Sequence, residues 1–153
     1  MTNPLFDSVF SLPTHYFQKE NYPMKKILYT MIRVGDLQRS IDFYTNVMGM
    51  KLLSTFDQPK DKFTLAFMGF GEESDTSTLE LTYNYGVSDY ELGNGYGHVA
   101  IEVEDCVATC AAIKKRGGTI TLEPQRLDGL NEIIAFVADL DGYRIELVQT
   151  SVS

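Results

Sequence analysis

At 153 residues the chain is long enough for one compact domain with a sizeable core and too short for two independent domains of usual size. Its 44% hydrophobic and 22% charged residues match an ordinary soluble globular protein, without a low-complexity tract. A formal charge of -8 disfavours the broad electrostatic grip that binding nucleic acid or anionic lipid would need.

Residues 1–24 carry Pro4, Pro13 and Pro23 among scattered aromatics with no sustained periodicity, and read as an irregular N-terminal extension. They lack the basic start, apolar stretch and small-residue cleavage site of a signal peptide. No later run approaches the roughly 20 apolar residues that span a bilayer. The organised domain is expected over residues 25–150. A strand is predicted over Lys26–Val34, then a helix over Leu37–Val47 after Gly35-Asp36, with Gly49 as its stop. Strands follow at Lys51–Thr55, Thr64–Phe70 and Ser77–Tyr83.

The second half repeats this order. A strand over His98–Val103 leads to a helix over Val107–Lys115, a stop at Gly117-Gly118, and strands near Thr119–Leu122, Ile133–Val137 and Arg144–Gln149. The modules therefore cover about 25–85 and 96–150. Ile32, Val34 and Asp36 match Ile101, Val103 and Asp105; Ala66-Phe67 matches Ala135-Phe136; Leu79-Glu80-Leu81 matches Ile145-Glu146-Leu147. Shared apolar alternation alone would mean little, but order, spacing and identities together indicate a duplication.

Glu80 and Glu146 each sit between aliphatic neighbours on a last strand, so each projects to the face opposite them. The same alignment pairs Tyr29 with His98 at the start of each first strand. One imidazole and two carboxylates brought to one cavity form a suitable donor set for a divalent transition metal. Cys106 and Cys110, four apart in a helix, are expected to pack as small apolar residues, and the absence of a disulfide framework suits a reducing cytosol.

The segments TMIRVGDLQRSIDFYTNVMGMKLL, TLAFMGFG, TLELTYNYG, GYGHVAIEVED and IIAFVADLDGYRIELV closely resemble bacterial-type glyoxalase I of the vicinal oxygen chelate superfamily, over roughly residues 25–149. The resemblance implies an α+β fold of two tandem βαβββ modules forming half-barrels. It also implies a homodimer whose subunit interface holds two clefts, each with a metal bound by side chains of both chains. Carried over by position, Glu80, His98 and Glu146 match three ligands, and Tyr29 stands where the family has its first histidine. His15 is the only other histidine. A phenol with a pKa near ~10 is a poorer ligand for nickel or cobalt than imidazole. The expected centre therefore holds one divalent metal, nickel or cobalt favoured and zinc possible, with three strong protein ligands and Tyr29 as a weak fourth.

The implied reaction converts the hemithioacetal of methylglyoxal and glutathione to S-lactoylglutathione by moving a proton between adjacent carbons. The metal would act as Lewis acid, Glu146 as the base, and Glu80 as a second proton carrier for the other stereoisomer. Arg33 and Asn84 match positions that contact glutathione; Asp128 stands where the family commonly has a basic residue, and Arg126 is the nearby substitute.

Tyr83, Tyr85, Tyr90 and Tyr96 are expected as core and interface aromatics, and Asp141-Gly142 as a turn. Gly93, Gly95 and Gly97 precede a strand instead of opening a helix, so no nucleotide site is assigned. A cytoplasmic lactoylglutathione lyase is the leading reading. A small-molecule or metal-binding member of the same fold without turnover is the alternative, because of Tyr29, and a ring-cleaving dioxygenase ranks third because it would need a second histidine.

Overall fold

The computed structural model describes residues 25–72 and 74–150. Two four-stranded sheets form, each with a helix between its first and second strands in chain order. The first contains β1 (Tyr29–Arg33), β2 (Lys51–Gln58), β3 (Phe63–Gly69) and β4 (Thr78–Asn84) in the order β1-β4-β3-β2. The second contains β5 (His98–Glu102), β6 (Thr119–Arg126), β7 (Ile133–Ala138) and β8 (Arg144–Gln149) in the order β5-β8-β7-β6. In each sheet the first strand runs parallel to the last and the other pairs are antiparallel. Each parallel pair is possible because a helix and two strands separate its members in sequence. The expected α+β arrangement of paired βαβββ modules is thus present. The extension over residues 1–24 and its His15 lie outside the described residues.

Helix α1 (Leu37–Asp42) continues into a wider π turn over Phe43–Val47, and α2 spans Cys106–Lys115. Both start identically. Asp36 accepts from the Arg39 backbone N–H at 3.0 Å and Asp105 from that of Ala108 at 2.9 Å, satisfying one orphan donor in each first turn. Gly49 and Gly117, with φ of 77° and 89°, take the left-handed conformation that ends each helix and that a side chain would strain. The duplication extends to irregularities. The β2–β3 register slips between Leu52 and Ser54, and the β6–β7 register between Ile120 and Leu122, so both modules carry a bulge at the same place.

Two boundaries differ from expectation. β1 starts at Tyr29 instead of Lys26, although the Leu28 carbonyl still accepts from the Thr78 N–H at 3.0 Å. β6 continues past Leu122 to Arg126 because a second register shift, between Leu122 and Gln125, accommodates Pro124, which cannot donate to a ladder.

The strand pleat divides the side chains. Ile32, Val34, Ala66, Met68, Leu79 and Leu81 from the first sheet, and Ala135, Val137, Ile145 and Leu147 from the second, are buried in one continuous core with Phe43 and Tyr44 of the first module and Cys106, Cys110 and Ile113 of α2. Both cysteines are free; burial pushes the Cys106 thiol up to about 12 and also raises that of Cys110. No helix among the described residues is long and apolar enough to cross a membrane.

A polar clamp ties the modules together. Asp139, at the end of β7, accepts from the Tyr44 hydroxyl at 2.8 Å and from the backbone N–H groups of Asp141 and Tyr143 at 3.0 and 2.8 Å. Asp141 accepts from the Gly35 N–H, the Arg39 guanidinium and the Ser40 hydroxyl. The turn predicted at Asp141-Gly142 is therefore also the anchor of α1. Gly35 has no room for a side chain, since a Cβ there would lie 1.9 Å from the Ser88 carbonyl oxygen.

Tyr44→Phe removes the hydroxyl donor from a buried carboxylate and is expected to lower the unfolding free energy by about 1–3 kcal/mol, read from urea denaturation. Burial raises the Asp139 pKa more than its hydrogen bonds lower it. Its folded value therefore exceeds the unfolded one, and the associated stability is present below the ordinary Asp range and lost as pH rises through the folded value. The stability of the wild type relative to Asp139→Asn should accordingly fall with rising pH across that window; a pH-independent difference would contradict it.

Candidate metal centre and active site

On the faces opposite the core, the two modules present equivalent sets of side chains. In the second sheet, parallel pairing sets His98 beside Arg144 and Ala100 beside Glu146, while the antiparallel β7 sets Phe136 beside Glu146. Residues paired across strands share a face, as do alternate residues along one strand. His98, Phe136, Arg144 and Glu146 therefore point to the same side, with the aliphatic neighbours of Glu146 in the core. His98 Nε2 lies 3.0 Å from Glu146 Oε2, and the imidazole meets the Phe136 ring edge-on at 5.2 Å.

In the first sheet the same register sets Tyr29 beside Thr78, Met31 beside Glu80, and Phe67 beside Glu80. The Tyr29 ring meets Phe67 edge-on at 5.6 Å and 70°, close to the 77° of the His98–Phe136 pair. Phenol and imidazole thus occupy matching places. The carboxylates differ, however. Glu80 is 6% exposed, accepts from the Thr82 hydroxyl at 2.9 Å, and has no cationic partner among the described residues.

These donors fit a metal ion. An imidazole nitrogen and a carboxylate oxygen held 3.0 Å apart, His98 Nε2 and Glu146 Oε2, are donor types that a divalent transition metal takes. A carboxylate as buried as Glu80, supported by one hydroxyl, calls for a compensating cation. Within one chain the two pairs stay on separate sheets, and no three His, Cys, Asp or Glu gather among the described residues. The chain thus carries two half-sites, one of His98 and Glu146, the other of Tyr29 and Glu80.

Arg33 ends β1 on the same face as Tyr29 and Met31, and Asn84 ends the neighbouring β4, where its amide donates to the Tyr90 hydroxyl at 2.9 Å. The structure brings these two expected substrate contacts to one end of the first sheet. Arg126 is on the second sheet, reaching Asn131 at 3.5 Å. Tyr90 is thereby a partner of Asn84, whereas Tyr83 packs against the core and Tyr85 and Tyr96 are exposed. Tyr96 meets Tyr143 edge-on at 5.8 Å. Sequence reasoning passed over Phe67, Phe136 and Arg144. Their place, opposite or two residues from a singled-out glutamate, was the available signal.

Residues 26–147 match the glyoxalase/bleomycin resistance protein/dioxygenase superfamily. The chain is 57% identical over 124 residues to the Vibrio cholerae protein named "Probable lactoylglutathione lyase", covering 81% of this chain and 90% of that protein. It is 52% identical over 124 residues to the lactoylglutathione lyase of Salmonella typhimurium, covering 81% and 92%. Glyoxalase I from Zea mays superposes with a TM-score of 0.78 and 47% identity, covering 84% of this chain and 46% of that one, so the chain spans about half the maize protein. The trypanothione-dependent glyoxalase I of Leishmania major gives 0.74 and 48%, covering 83% and 88%. The chain belongs to this superfamily and, within it, to the lactoylglutathione lyase (glyoxalase I) family.

Proposed function

We infer that this chain is a lactoylglutathione lyase, isomerising the hemithioacetal of methylglyoxal and glutathione to S-lactoylglutathione. The observation that carries the reading is the His98–Glu146 pair, held 3.0 Å apart on the face opposite the core. Identity above one half to named lyases supports it. The relatives described above lend no support to a binding module without turnover.

Two half-sites on separate sheets need a second copy to complete a centre, so the working form is a homodimer in which His98 and Glu146 of one chain meet Tyr29 and Glu80 of the other. These four residues would hold one divalent metal, with nickel or cobalt favoured over zinc because the insertions of the zinc-preferring type are absent. When bound, the metal supplies the Lewis acidity that steadies the negative charge left by proton removal. Glu146 takes the proton from the carbon bearing sulfur and returns it to the neighbouring carbon, while the hydroxyl proton on the first carbon passes to the oxygen on the second. Glu80 serves the other stereoisomer. Arg33 and Asn84 fix carboxylate and amide groups of glutathione from the end of the first sheet, with Arg126 reaching from the second. Two free buried thiols and a glutathione co-substrate support a cytoplasmic location.

Purified protein given nickel, cobalt or zinc and the preformed hemithioacetal should develop thioester absorbance; no turnover with any of the three would overturn the assignment. Glu146→Gln is expected to lower kcat by about 10²–10⁴. Tyr29 matches His98 in register and ring packing but offers a phenol, a poorer donor to nickel than an imidazole. Tyr29→His should therefore tighten nickel binding, measured by calorimetry, by about tenfold or more. Equal affinity in variant and wild type would remove Tyr29 from the centre.

A further inference from the structure

The two half-sites differ in charge at one further position. Arg144 opens β8, pairs across the parallel register with His98, and lies on the same face as Glu146 two residues on. The matching position in the first module, paired with Tyr29, is the uncharged and buried Thr78. The Arg144 guanidinium carbon sits 4.0 Å from the centre of the Phe136 ring, the same ring that His98 meets edge-on. Phe136 is thus a shared platform for the imidazole and the guanidinium, with Glu146 as its cross-strand neighbour.

Stacking restrains a long side chain that would otherwise sample many rotamers, and it leaves the N–H groups at the guanidinium edge available for a planar anion. No carboxylate among the described residues forms an ion pair with Arg144, while Glu146 is engaged by His98. In a chain of net charge -8, a restrained cation without an acidic partner is a local attractor for negative charge.

We propose that Arg144 is a specificity-determining residue that binds an anionic group of the substrate, a carboxylate or phosphate, beside the reacting carbons. The proposal rests on the isomerase reading above for the identity of those carbons. The anion has two possible sources: a glutathione carboxylate, or an acidic group on the 2-oxoaldehyde. In the first case Arg144 strengthens binding of every glutathione adduct. In the second it selects among aldehydes.

The test is calorimetric binding of three inert analogues to the nickel-loaded protein: S-methylglutathione, its diethyl ester, and S-carboxymethylglutathione. Each is compared across wild type, Arg144→Gln and Arg144→Lys. An anion contact predicts that Arg144→Gln weakens binding by about tenfold or more and that Arg144→Lys recovers most of the loss, the scale of a charge-assisted hydrogen bond. Loss with S-methylglutathione that disappears with its diester identifies the thiol as the source. Loss confined to the carboxymethyl compound identifies the aldehyde side. Identical affinities for all three overturn the proposal, as does an equal loss for all three including the diester, which would mark Arg144 as packing on Phe136 alone. Wild-type turnover of the hemithioacetal is measured alongside; its absence would count against the isomerase reading, while the affinities still judge Arg144.

Discussion

Each sheet places its module's first strand alongside its last strand in parallel, and that pairing governs the candidate site. It puts the opening residue of the first strand, Tyr29 or His98, on the same face as a glutamate two residues into the last strand. The pleat then sends the flanking aliphatics, Leu79 and Leu81 or Ile145 and Leu147, to the core. A shift of one residue would exchange the faces, burying the aromatic ring and leaving the aliphatics in water. Core packing and site geometry are thus one constraint. A carboxylate can be kept within hydrogen-bonding distance of an imidazole because the residues on either side of it are locked in place.

The polar clamp shows how the modules are joined without using those faces. Asp139 and Asp141 come from the β7–β8 connection, and their partners Tyr44, Gly35, Arg39 and Ser40 come from the first module's strand–helix unit. The Tyr44–Asp139 pair is buried, so desolvation must be offset by hydrogen bonds, and Asp139 receives three. The contacts fix the two modules on their core side, and both carboxylate-bearing faces remain available to a second chain.

Much of this was legible in the sequence because it depends on local pattern. Strand order, the paired helix stops at Gly49 and Gly117, and the matched positions of Glu80 with Glu146 and Tyr29 with His98 all follow from period-two alternation and an internal repeat. The expected departure of two glutamates from the core face was correct for the same reason. The clamp was not legible, since Tyr44 and Asp139 are 95 positions apart and nothing in either neighbourhood announces the other. The extended β6 was missed because Pro124 ordinarily argues against a strand, and only the register shift shows how the ladder passes it. Nothing in the sequence around Arg144 announces the Phe136 ring that lies under its guanidinium.

The two cysteines acquire meaning from their surroundings. A dicarbonyl such as methylglyoxal is an electrophile, and a protein thiol attacks it as thiolate. Cys106 and Cys110 sit against the aliphatic side of the second sheet, and with the Cys106 thiol pushed up to about 12 it remains protonated at neutral pH. Both thiols also lie on the core side of the second sheet, away from the face that carries His98 and Glu146, so the sulfur that adds to the dicarbonyl is glutathione's and not the protein's own.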